Sequence, residues 1–178
     1  MKINFSELST SLPNDKVLVF LVGEGEKLSG KAAALDKAAG GALSRAMEVA
    51  DFKGKKGKYQ SVMLPKTAKA DYAILAGLGE IKKLNEAALE NIGGGIIPLA
   101  NTLRAKSVTV VVEDLKIKGI STAETAARIA QGANLRSYNF DKYFTKKTED
   151  EKPTLGKFTV ALKGSKEEIG RASCRERV

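Results

Sequence analysis

Gly25-x-x-x-x-Gly30-Lys31, within "KVLVFLVGEGEKLSGKA" (Lys16 to Ala32), has the spacing of a phosphate-cradling loop. That chemistry needs backbone N–H groups around the phosphates, a lysine to reach them, and a Ser or Thr hydroxyl on magnesium. The first two are present. The third is missing, because position 32 is alanine. Downstream, "VTVVVED" could supply Glu113 or Asp114 as the carboxylate near such a metal. A reading without a ligand accounts for the same residues: a buried strand turns through Gly23 and Gly25, and Ser29 caps an alanine-rich helix. The second reading is favoured, since a spacing match without its hydroxyl arises easily by chance.

Other candidates are weighed in the same way. "GLGEIKK" begins as a dinucleotide fingerprint does, but Lys82 stands where the third glycine belongs, so a turn is expected. In "GGGIIP", Gly93 to Pro98, the glycines lie between helical leucines and are expected to let a helix approach its neighbour. Lys53, Lys55, Lys56 and Lys58 in "FKGKKGKY" could contact the phosphates of DNA without reading its sequence, or could line a solvated loop leading into a strand. Tyr138, Phe140, Tyr143 and Phe144 in "SYNFDKYFTKK" could stack on bases, or dock the following linker on a core or a partner surface. Glu149, Asp150 and Glu151 lie in that linker, where nothing would shift their pKa values toward acid/base work. With no histidine and one cysteine, Cys174, the common zinc sites, histidine triads and intramolecular disulfides are excluded.

The elements that must position these residues follow from patterning. A chain of 178 residues with 43% hydrophobic content suits one core. No apolar run reaches membrane-span length, and a soluble, cytoplasmic chain is expected. "KINF", "KVLVFLV", "KYQSVMLP", "DYAILAGLG", "SVTVVVEDL" and "LGKFTVAL" read as strands, the third and fourth as an antiparallel pair. Between them, Leu28 to Asp51 reads as two helices broken at Gly40-Gly41, and "LNEAALENIGGGIIPLANTLRA" as one long irregular helix. "STAETAARIAQGANL" opens with the capping box Ser121-x-x-Glu124. Interleaved strands and helices predict an α/β layered domain. The net charge of +9 falls to +7 without the last nine residues, "GRASCRERV", which lack apolar periodicity and read as vector-derived.

In order and spacing, "FKGKKGKYQSVMLP", "ADYAILAGLGE", "SVTVVVED" and "GANLRSYNFDKYFTKK" resemble the N-terminal domain of the leucyl aminopeptidase family, the cytosol aminopeptidases of peptidase family M17. The resemblance spans nearly all of the chain up to Ile169. It implies a three-layer α/β/α, macro-domain-like fold with a mixed sheet. The implied division is a macro-like domain over 1–144, a linker and late strand over 145–169 leading toward a catalytic domain, and the tail 170–178. In the family, two divalent metal ions, zinc or manganese, and the catalytic residues belong to the C-terminal domain, in phrases such as Asn-Thr-Asp-Ala-Glu-Gly-Arg that this chain lacks. No catalytic, metal or cofactor-binding residue is therefore assigned here, and the chain alone is expected not to hydrolyse peptides. The implied partners are its own catalytic domain and a homo-hexamer, with assembly or positioning as the domain's role. A DNA-binding module acting through the lysine loop is the alternative. The fold does not bring ADP-ribose binding with it.

Overall fold

A computed structural model describes residues 1–9, 12–13, 15–138 and 154–163. In chain order the elements are β1 (Lys2–Glu7), β2 (Val17–Gly23), α1 (Gly30–Ala38), α2 (Ala42–Val49), β3 (Tyr59–Met63), β4 (Tyr72–Gly79), a 3-10 turn (Ile81–Lys83), α3 (Glu86–Thr102), β5 (Ser107–Val112), α4 (Thr122–Ser137) and β6 (Lys157–Leu162). The strands form one sheet in the order β1-β6-β5-β2-β4-β3. Among the described residues, only the β3–β4 pair is antiparallel. The mixed sheet and the hairpin therefore match the expectation from sequence.

β2 is continuously apolar because both of its faces are covered. Val17 and Val19 enter the core under α3 and α4, while Leu18, Phe20 and Val22 enter the core under α1 and α2. β4 divides in the same manner, with Ile74, Ala76 and Leu78 on one side and Ala73 and Leu75 on the other. Strict alternation of burial would have marked a one-sided sheet; continuous hydrophobicity marks a middle layer. Together the two helix pairs and the sheet make three layers.

The helix ends follow local rules, with one exception treated below. Gly40 and Gly41, with φ of 66° and 83°, break the alanine-rich stretch into α1 and α2. Asp36 near the end of α1 then caps α2, its carboxylate accepting from the Leu43 and Ser44 N–H groups at 2.8 and 3.1 Å. Asn85 accepts from the Ala88 N–H at 2.9 Å to start α3, and Ser121 accepts from the Glu124 N–H at 3.2 Å to start α4, as the capping box predicts.

α3 and α4 run side by side with the same direction over one face of the sheet, and glycines set their spacing. A Cβ on Gly93 would collide with the Ile129 carbonyl oxygen, and one on Gly132 with that of Glu90. A Cβ on Gly95 would collide with the Tyr59 hydroxyl. The packing role expected for "GGGIIP" is therefore observed at Gly93 and Gly95. Gly94 is different: its nearest contacts are at 3.4 Å and beyond, so close packing does not demand a glycine there.

The late strand is an interior member of the sheet. β6 lies between β1 and β5, with Phe158, Val160 and Leu162 fully buried in the core under α3 and α4. Asn101 at the end of α3 receives the incoming chain, its side-chain oxygen accepting from the Thr154 and Leu155 N–H groups at 3.1 and 3.2 Å. The expected boundary at residue 144 would separate this strand from the sheet to which it belongs. The proposed linker up to Pro153 and the tail 170–178 lie outside the described residues.

Candidate functional site

In an open α/β sheet, ligands enter the crevice at the carboxyl ends of the strands where the chain's winding reverses. Here that point lies between β2, whose chain leaves toward α1, and its neighbour β5, whose chain leaves toward α4. A cavity of about 260 Å³ opens there, between the loop of Glu26 to Ser29 and the segment Glu113 to Lys116, with Ile81 on its rim.

The phosphate-loop spacing falls at this crevice, but the cradle is filled from within. Glu113, the first residue after β5, turns its carboxylate onto the N-terminus of α1. Its two oxygens accept from the Lys31 N–H at 3.2 and 3.3 Å. Gly30 has φ of +51°, and a Cβ there would collide with that carboxylate. The expected cap is thereby corrected: Ser29 makes no side-chain capping bond, and an acid distant in sequence takes that place. Local reading fails because a helix N-terminus favours any negative group brought to it, whatever its position in the chain. The available signal was an acid standing directly after a buried strand.

The lysine loop is more tightly held than its composition suggests. The Gly57 N–H donates to the Gly77 carbonyl at 3.3 Å, the Gly77 N–H to that of Lys58 at 2.8 Å, and the Gly79 N–H to that of Gly54 at 2.8 Å. The Gly25 N–H donates to the Lys53 carbonyl at 3.0 Å, tying the loop to the turn after β2 as well. Glycines make this possible, since a Cβ on Gly54 would strike the Gly23 carbonyl and one on Gly77 the Lys55 carbonyl. Lys53, Lys55, Lys56 and Lys58 all remain exposed, and Lys53 pairs with Asp51 at 3.0 Å. In "GLGEIKK", Gly77 to Gly79 complete β4 and the expected turn follows them, with Gly79 at φ of +73° leading into the 3-10 turn.

Tyr138 follows the last turn of α4 and is 78% exposed, close in sequence to Leu135 at 66%. Next to them, Gly94, Pro98 and Leu135 line a shallow groove between α3 and α4, flanked by Glu90 and Arg136. Phe140, Tyr143 and Phe144 lie outside the described residues. Among the described residues no helix is long and apolar enough to cross a membrane, and no three acidic or cysteine side chains are placed to share a metal ion.

A mixed sheet between helix layers, with its crevice at the winding reversal, defines a macrodomain-like α/β domain. The Oceanobacillus iheyensis macrodomain, solved with ADP, superposes over 93% of this chain and 84% of its own, with a TM-score of 0.64 and 16% identity. A mutant of tomato leucine aminopeptidase superposes more closely, with a TM-score of 0.76 and 20% identity over 97% of this chain but 35% of its own. At such identities these likenesses concern the fold alone. The sequence profile described as cytosol aminopeptidase family, N-terminal domain, matches residues 17–147. The protein named Probable cytosol aminopeptidase in Caulobacter vibrioides is 34% identical over 161 residues, which is 90% of this chain and 31% of that protein. The chain belongs to the cytosol aminopeptidase family and is its N-terminal domain. It spans about a third of the length of the relatives that it matches.

Proposed function

We propose that this domain serves a cytoplasmic metallo-aminopeptidase as a non-catalytic accessory unit that assembles or positions the catalytic part. One observation carries the reading: the chain aligns over nearly its whole length with proteins named as aminopeptidases, yet accounts for only about a third of them. On this reading the divalent ions and the hydrolytic chemistry belong to the part of those relatives that the chain does not cover. The exposed Leu135 and Tyr138 support a contact role, because large apolar side chains grouped at a helix end favour a partner over water. Association into a hexamer belongs to the same proposal.

Two measurements test it. With manganese or zinc added, the chain alone should release no leucine from a leucyl-anilide; release would overturn the non-catalytic reading. The assembled size of the intact parent, followed by light scattering, should fall when Leu135 and Tyr138 are both replaced by serine. An unchanged size with unchanged activity would remove the assembly role.

A further inference from the structure

We propose that Glu113 is a built-in anion that keeps the crevice closed to phosphorylated ligands, an autoinhibitory contact made within the domain itself. Three features carry this independently of the accessory role. The carboxylate sits on the α1 N-terminus, accepting from the Lys31 N–H with both oxygens. Gly30 is shaped to admit it, since any side chain there would occupy the same space. The contact also spans the winding reversal: it joins the first turn of α1, which follows the loop after β2, to Glu113 at the end of β5, a residue that lines the 260 Å³ cavity.

A phosphate approaching the first turn of α1 would compete for the same N–H group and meet a negative charge already in place. Carboxylate and phosphate are alternative occupants of one cradle, and the tethered one needs no free ligand to hold its position. The Gly-x-x-x-x-Gly-Lys spacing is therefore explained without a nucleotide. Its second glycine makes room for Glu113, and its lysine contributes a backbone N–H.

The test uses the ¹⁵N-labelled chain titrated separately with ADP and with inorganic phosphate, watching the Lys31 and Ala32 amides. Four proteins are compared: the native chain, Glu113→Gln, Glu113→Ala, and Asp71→Asn, which removes an exposed charge at the opposite end of the sheet. The native chain and Asp71→Asn should give no saturable shift, whereas both Glu113 variants should bind at least about tenfold more tightly, as expected when a competing charge-assisted bond is removed. Thermal melting checks that each variant is folded, and the near-isosteric glutamine carries the test if the alanine variant is not. Binding by the native chain equal to that of the variants would overturn the proposal. So would silence of the folded Glu113 variants, or equal binding by Asp71→Asn.

Discussion

The Tyr59 hydroxyl donates to the Ile92 carbonyl at 3.1 Å, joining edge strand β3 to the middle of α3. Gly95 leaves the space in which the phenol lies. Tyr59→Phe keeps the ring and removes the bond, so unfolding in urea should show a loss of about 0.5–1.5 kcal/mol.

The same tyrosine makes a prediction about alkaline stability. Burial raises its pKa above the ordinary value near 10, because the phenolate would be poorly solvated there. Between about pH 10 and the raised value the unfolded chain has lost its proton while the folded chain keeps it, so stability falls with rising pH. Below that window the group contributes no slope. Comparison of denaturation curves at pH 8 and above pH 10 should show a steeper fall for the native chain than for Tyr59→Phe.

Three glycines where α3 and α4 meet should respond differently to alanine. Gly93→Ala and Gly132→Ala place a methyl against a backbone carbonyl of the facing helix, and should each cost about 1–3 kcal/mol or more. Gly94→Ala meets only ordinary contacts and should stabilise by up to about 1 kcal/mol through helix propensity. Equal effects at Gly93 and Gly94 in thermal melting would contradict the close crossing of α3 and α4.

The caps of α1 and α2 offer a contrast between a serine and an aspartate. Asp36→Ala removes the acceptor for Leu43 and Ser44 and should cost about 0.5–2 kcal/mol. Ser29→Ala should stay within about 0.5 kcal/mol, because that side chain makes no capping bond. Urea midpoints measured at a common m-value decide between these outcomes.

β6 should be necessary for cooperative folding although the family match ends at residue 147. Ending the chain at 153 deletes Phe158, Val160 and Leu162 and takes from β1 the strand with which it pairs. Each of those side chains stabilises by about 1.5–3 kcal/mol on burial, against a typical total of about 5–15 kcal/mol. A chain ending at 153 should therefore lose its sharp melting transition, while one ending at 169 should keep it.

Much of the fold was legible in the residues because its signals are local. The apolar continuity of "KVLVFLV" reported a strand covered on both faces, Gly40-Gly41 reported the break between α1 and α2, and Ser121 reported the start of α4. A few polar residues between "KYQSVMLP" and "DYAILAGLG" were enough to indicate a hairpin. Family membership was legible in the order of phrases, each weak when taken alone.

What the sequence could not decide were relations between residues far apart in the chain. Lys31 and Glu113 meet only because β2 and β5 are parallel neighbours whose carboxyl ends lie side by side. Tyr59 meets Gly95 only once α3 folds back over the sheet, and β6 enters between β1 and β5 only when both are present to pair with it. Hydrophobic patterning determines which surfaces must leave water, and turn residues determine where the chain reverses. Which carboxylate reaches which helix end depends on how the buried layers are stacked, and only the tertiary structure settles that.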